Sequence, residues 1–197
     1  MMSVMNPRGS RGEASTSRRL GFVALASCIV IVSACVATGV GVSQTSALPD
    51  GTRIDRLVVY KDAGRMEAYA GDELVKTYAV GVGSGGAGPK QFEGDARTPE
   101  GEYRIDSRHR SRQFHRFLHV SYPNRADRRR YRELRRAGGV PEGRGIGSAI
   151  GVHGQPSHAF GFLVRGNWTA GCIAVTNDEI EELYAAVVPN ARISIRP

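Results

Sequence analysis

The sequence predicts a mainly β domain of the α+β kind, a sandwich with short flanking helices, preceded by an N-terminal hydrophobic helix. Glycine is abundant, 25 of 197 residues, which suits a turn-rich protein. From Arg56 onward, short runs of β-branched and aromatic residues recur between turn signals. Only two later stretches carry helix-start signals and helical spacing.

The N-terminal part is organised by charge. Residues 1–19 carry Arg8, Arg11, Arg18 and Arg19 and form a basic cytoplasmic N-terminus. Residues 20–42, Leu20 to Val42, run 23 residues without a charge. About 20 apolar residues span a bilayer as a helix. Length therefore favours a signal-anchor, with the arginines left inside. A cleaved secretory signal, with Thr45-Ser46-Ala47 as a small-residue cleavage site, stays open. So does a lipoprotein in which Val32-Ser33-Ala34-Cys35 is a relaxed lipobox and Cys35 carries lipid. Each of the three exports the C-terminal domain and leaves it on or beyond the outer face of the membrane. Residues 43–55 are a polar linker with Pro49 and Gly51, and residues 56–197 form the domain.

Within the domain, "RLVVY" (Arg56–Tyr60), "RMEAYA" (Arg65–Ala70) and "LVKTYAVGV" (Leu74–Val82) form a meander, separated by "KDAG" and "GDE". The Gly/Pro-rich excursion Gly83–Tyr103 is too long for a tight turn and forms either a lid or a solvated loop. "YRID" and "FLHVSY" (Phe117–Tyr122) are strands. Asn124–Ala137 is a helix that Asn124 caps, with Tyr131 and Leu134 on one face. "AIGVHG" (Ala149–Gly154) alternates apolar residues and ends at His153. "FGFLVRG" (Phe160–Gly166) is a strand or loop edge. Thr176 and Glu179 make a capping box. Ile180, Leu183, Tyr184 and Val187 follow helical spacing to a stop at Pro189, and "ARISI" is a last strand.

The formal charge is +8, set by arginine. Twelve arginines lie between Arg104 and Arg136, against Asp106, Asp127 and Glu133. That run faces an anion or is simply a solvated basic surface. Aromatic residues are few and the domain is exported, so nucleic acid is excluded as a partner.

Export makes the cysteines informative. Cys28 and Cys35 lie in the apolar segment, so Cys172 has no disulfide partner within the domain. Unactivated, a thiol is only a few per cent ionised at neutral pH, so a nucleophilic cysteine needs a base. His153, before Gly154 at a strand end, is the best placed of the five histidines. Gly171 puts Cys172 in a turn whose amides can face an oxyanion. The alternative is a buried small cysteine and a core histidine. His153, His158 and Cys172 have no familiar ligand spacing, so no metal and no other cofactor is expected.

Fifteen residues separate His153 in "GVHG" (Gly151–Gly154) from Thr169 in "TAGCIAVTN" (Thr169–Asn177). This combination resembles the L,D-transpeptidase catalytic domain of the YkuD type. "VGVGSG" and "TPEGEYRID" (Thr98–Asp106) extend the resemblance to roughly Arg56–Pro197. "GPKQFEGDARTPEG" and "NWTAGCIAVTN" are similar to the murein branch related to cross-link-editing enzymes of Gram-negative bacteria.

The resemblance implies a β-sandwich with flanking helices. It also implies Cys172 as nucleophile, His153 as general base and acid, and Gly171 with the Cys172 amide at the oxyanion. Gly154, Trp168 and Thr169 are implied to touch substrate. The substrate would be a peptidoglycan stem peptide, attacked at the L-centre carbonyl of meso-diaminopimelate. D-alanine, or the lysine amine of a wall-linked protein, would leave from a thioacyl intermediate. A second stem makes the chain a transpeptidase, and water makes it a cross-link-editing hydrolase; the branch favours hydrolysis. The setting is periplasmic. Two positions depart from the family pattern: Ala170 replaces the usual histidine before Gly-Cys, and Ala174 replaces the usual arginine. They motivate the alternative of a catalytically silent peptidoglycan-binding module.

Overall fold

The computed structural model describes residues 47–156 and 166–197. The basic N-terminus, the 20–42 segment with Cys28 and Cys35, His158 and nearly all of the Phe160–Gly166 stretch lie outside the described residues. Among those described, no helix is long and apolar enough to cross a membrane.

The three opening runs fold as expected into a meander: β1 (Ile54–Tyr60), β2 (Arg65–Ala70) and β3 (Glu73–Ala79). β1 starts two residues before the expected domain start at Arg56. Gly64 and Gly71 supply the positive φ values of the two hairpin turns, at +58° and +62°. β4 (Gly101–Ser111) and β5 (His115–Val120) make a second hairpin, and β6 (Gly151–His153) and β7 (Ile173–Ala174) are short.

Helix α1 (Arg125–Arg136) begins at the expected cap. The Asn124 side chain accepts from the Ala126 and Asp127 amides, and the Asp127 side chain returns a bond to the Asn124 N–H. Asp127 is buried and also accepts from the Tyr103 hydroxyl at 2.9 Å, which ties α1 to β4. α1 turns Arg125, Arg128, Arg129, Arg132, Arg135 and Arg136 to solvent. Helix α2 (Asn177–Ala186) has the Thr176–Glu179 capping box predicted for it.

The stop at Pro189 is not where α2 ends. The helix ends at Ala186, and β8 (Val187–Arg196) starts at once and runs through Pro189. Proline has no N–H to give a ladder. β8 accommodates it in a bulge, where Val187 pairs with Ile54 but the next registered pair is Arg192 with Arg56.

All eight strands form one sheet in the order β3-β2-β1-β8-β4-β5-β6-β7. β1–β8 and β6–β7 are parallel, and the other pairs are antiparallel. β4 bends the sheet. Its first residues pair with β8 through Gly101–Arg104, and the rest pairs with β5 from Ile105 to Ser111 across a bulge. The curl brings the two outer edges together. Beyond β3, Gly81 exchanges both backbone bonds with Ala174 of β7, at 2.9 and 2.8 Å. Ser84 N–H then donates to the Thr169 carbonyl, and Thr169 N–H to Val82. The predicted sandwich is thus one curled sheet that nearly closes on itself, which blunts both edges.

The core fills the curl. Leu57, Val59, Met66, Tyr78, Ile193 and Leu118 are buried, and Ile180 and Leu183 bring α2 against them. Glu182 of α2 accepts from Lys76 at 2.6 Å and from the Tyr78 hydroxyl at 3.4 Å, so the helix is also held by polar contacts. The β6 and β7 strand ends, where Cys172 and His153 lie, are therefore anchored from several directions.

Candidate active site

β6 and β7 set the geometry. Val152 pairs with Ile173 and His153 with Ala174 in a parallel register. Register partners in a sheet point to the same face, so His153 and Ala174 share one. Cys172 immediately precedes β7. The sequence pair is therefore brought to neighbouring segments of one sheet edge. No hydrogen bond joins thiol and imidazole in this state: the thiol donates to the Ala149 carbonyl at 3.5 Å. Pairs of this kind commonly tighten only when substrate arrives.

His153 is 1% exposed. Its Nδ1 lies 2.6 Å from the Gly154 carbonyl. A carbonyl only accepts, so Nδ1 carries the proton and Nε2 is the basic nitrogen. Phe114, in the β4–β5 turn, stacks on the imidazole with centroids 4.2 Å apart, and Phe117 stacks at 5.9 Å. Trp168 meets it edge-on at 5.9 Å. Phe117 reaches this position because Gly151 has no side chain: a Cβ there would stand 2.3 Å from its ring. Burial among these rings lowers the His153 pKa, and the Gly154 bond offsets part of that.

Cys172 is partly exposed. Burial raises its pKa, while the Gly151 N–H directed at the sulfur and the Lys90 ammonium pull it down. The two shifts favour a neutral thiol beside a neutral imidazole rather than a resting ion pair. We expect Cys172 to alkylate slowly at pH 7 and faster as pH rises past the ordinary thiol range, about 8.5. Mass-mapped iodoacetamide labelling from pH 6 to 10 checks this; a rate already at its plateau at pH 7 would contradict it.

The nucleophile turn is held by two hydroxyls. Thr169 Oγ1 donates to the Cys172 carbonyl at 2.7 Å and accepts from the Gly171 N–H at 3.1 Å. Thr98 Oγ1 approaches the same carbonyl at 3.5 Å and accepts from Gly83 N–H at 2.8 Å. The Gly171 amide offered to an oxyanion by the sequence is thus engaged by Thr169. Gly171 is needed for another reason. Its φ is +131°, and a Cβ would stand 2.7 Å from the Arg97 carbonyl.

Of the residues implied to touch substrate, Trp168 borders the imidazole, and its indole Nε1 is buried without a partner among the described residues. Gln155, two residues beyond His153, also has an unpartnered buried side-chain nitrogen. Such donors await an acceptor. Thr169 points inward to the turn, and Gly154 packs under Asn177 and Ile180. Ala170 is exposed, whereas Ala174 is fully buried at the seam with Gly81. Among the described residues, no group of three or more His, Cys, Asp or Glu could hold a metal ion.

Sequence reasoning passed over Thr98, Phe114, Phe117, Gln155 and the Lys90–Asp95 pair. Lys90 and Asp95 are 4% and 6% exposed in a stretch whose composition suggests solvent. Two opposite charges five residues apart in a glycine-rich loop were the available signal. Phe114 and Phe117 flank a turn, where aromatic residues carry no pattern of their own.

Fold and site place the chain among small, mainly β domains with a histidine on one edge strand of a curled sheet and a cysteine at the entry to the next. A family profile for YkuD, the L,D-transpeptidase catalytic domain, matches residues 54–195, and the chain belongs to this family. YafK of Escherichia coli strain K12 is 27% identical over 157 residues, covering 71% of this chain and 52% of YafK. Among solved structures, Bd1075 of Bdellovibrio bacteriovorus superposes with a TM-score of 0.51 at 21% identity, covering 76% of this chain and 50% of Bd1075. Pgp2 of Campylobacter jejuni, a helical cell shape determining protein, gives 0.51 at 20% identity, covering 78% and 51% of the two chains. At these identities the two structures speak for the fold. The chain spans about half the length of the curated relatives it matches.

Proposed function

We propose that the chain is an exported cysteine acyl-transfer enzyme that acts on meso-diaminopimelate-containing peptidoglycan stem peptides. The observation that supports this reading is the parallel pairing of β6, which carries His153, with β7, which Cys172 immediately precedes, the thiol donating to the Ala149 carbonyl just before β6. Family membership supplies the substrate class.

In the proposed reaction, substrate binding displaces the Ala149 contact and His153 Nε2 takes the thiol proton. The sulfur attacks the carbonyl at the L-centre of diaminopimelate, and the imidazolium returns the proton to the departing amine. That amine is D-alanine or a lysine of a wall-linked protein. The thioester then passes to water or to a second stem amine. The Trp168 Nε1, without a partner among the described residues and edge-on to the imidazole, offers a donor for a substrate carbonyl or carboxylate. We favour hydrolysis, the editing of wall attachments, over cross-link formation. The membrane segment at 20–42 and a periplasmic location complete the proposal.

Ala174 favours the second reading, a silent wall-binding module, because a packed methyl stands where the family has arginine. One experiment separates the readings: purified sacculi are incubated with the purified full chain and the products are weighed by mass spectrometry. Freed lysine-bearing peptides or trimmed tetrapeptides support hydrolysis, and new diaminopimelate bridges support transpeptidation. Retention of the chain on sacculi with no change in wall composition would overturn the enzymatic reading.

A further inference from the structure

The arginines between Arg104 and Arg136 do not all behave alike. Those of α1 mostly turn to solvent along a convex helix. At the open end of the β4–β5 hairpin they surround a hollow instead. A cavity of about 480 Å³ lies there, bordered among the described residues by Arg110, Ser111, Arg112, His115, Arg116 and Glu181. That volume lies within the range of small-ligand sites. Three arginines line it against a single carboxylate.

Two features of the hollow favour an anion. Arg110 and Arg116 are direct register partners across the hairpin. Register partners point to the same face, and like charges set directly opposite destabilise a ladder. Glu181 of α2 answers only part of this. One of its oxygens, Oε1, accepts from Arg116 Nε at 2.9 Å and lies 2.7 Å from His115 Nε2. Among the described residues no carboxylate pairs with Arg110. The second feature is His115, held at a φ of +65° where glycine would be free of strain. Strained residues gather at ligand clamps, and this one sets its imidazole on the cavity wall. Ser111 Oγ accepts the Gln113 and Phe114 N–H groups, at 3.3 and 3.0 Å, and keeps its own proton to donate. The same turn reaches the candidate active site. Phe114 stacks on His153, and its carbonyl accepts the Gly154 N–H at 3.1 Å.

We propose that this hollow is a second binding site of the domain, which takes a carboxylate of a peptidoglycan stem peptide, with Arg110 as its principal donor. The identity of the ligand rests on the proposed function; the excess of cationic donors does not. Guanidinium forks match a carboxylate with two parallel N–H bonds, and the bound charge relieves the opposition of Arg110 and Arg116. A concave site admits one group at a time, which fits a stem peptide rather than the flat array of headgroups on an anionic bilayer. The turn shared with Phe114 places the site on the hairpin that covers His153, so it serves the same wall substrate.

The test uses the full chain carrying Cys172→Ala, so that bound substrate is not consumed. The probe is the disaccharide tetrapeptide containing meso-diaminopimelate, and calorimetric titration reads its affinity. Adding Arg110→Gln is expected to weaken binding about tenfold, and Arg110→Lys, which keeps the charge without the fork, about threefold. Without ligand, the melting temperature of Arg110→Gln is expected to stay level or rise, because the like-charge opposition is gone; a fall would mark Arg110 as structural and overturn the proposal. Converting the carboxylates of the probe to amides is expected to cost the parent about tenfold more than it costs Arg110→Gln. Equal costs would overturn the proposal, as would unchanged affinity in Arg110→Gln or no binding to the parent. Glycerol phosphate, the soluble headgroup of an anionic lipid, is expected to bind more weakly than the tetrapeptide. Tighter binding that depends on Arg110 would assign the hollow to lipid and overturn it. Processing of sacculi is read separately with Cys172 intact. A chain that processes sacculi but binds the tetrapeptide independently of Arg110 keeps the proposed reaction and loses this site. A chain that binds through Arg110 but processes nothing keeps this site and loses the reaction.

Discussion

Cys172→Ala is expected to abolish processing of wall peptides, by at least about 10⁴-fold, because the proposed thioester forms on its sulfur. The melting temperature moves little, by no more than about 4 °C, since the side chain is small and partly exposed. The two readouts together separate loss of chemistry from loss of fold. A β-lactam of the carbapenem type provides a check independent of the natural substrate. The wild type gains one acyl adduct, mapped to the peptide containing Cys172, and the variant gains none. An alanine variant that still processed stem peptides would remove the thiol from the mechanism.

Gly171→Ala has the next largest effect. The new methyl would stand 2.7 Å from the Arg97 carbonyl and 3.2 Å from Ile150, at a φ of +131° that alanine rarely adopts. Backbone strain alone costs about 1–3 kcal/mol. The clash is with backbone rather than with a flexible side-chain end, so the turn itself must shift. A drop in melting temperature of about 5–10 °C is expected. At 25 °C, where the chain is still folded, Cys172 labelling and turnover fall at least about tenfold, because sub-ångström misplacement of a nucleophile is costly. Gly166→Ala is the control. Its φ is +144°, yet no described residue lies within 4 Å of the added methyl, so strain is present without a clash among the described residues. Equal losses of labelling in both variants would show that strain alone, and not the contact with Arg97, governs the turn.

Much of this protein was legible from local chemistry. The hairpins announced themselves through Gly64 and Gly71 between alternating runs, and both helix starts through Asn124 and Thr176. The cysteine and histidine were singled out because a thiol nucleophile needs a base and both follow or precede glycine at predicted strand ends. What was hidden depended on partners distant in sequence. Pro189 looked like a helix stop because the bulge that accommodates it is made by Ile54 and Arg56. The 83–100 segment looked solvated because glycine, proline and charge usually mean solvent. Lys90 reverses that only through Asp95 and the packing of Gly147. Closure of the sheet was hidden for the same reason, since Gly81 and Ala174 carry no signal of their own.

The strand made last in chain order, β8, lies in the middle of the sheet, between β1 and β4. Until it is in place, the β1–β3 meander and the β4–β5 hairpin can be joined only through the isolated Gly81–Ala174 and Gly83–Thr169 bridges at the far edge. The two halves therefore join late, through contacts far apart in sequence, and such closures are intrinsically slow to form. A polypeptide arranged this way keeps the centre of its sheet open until β8 has been made, so the strand between β1 and β4 acts as the keystone of the domain.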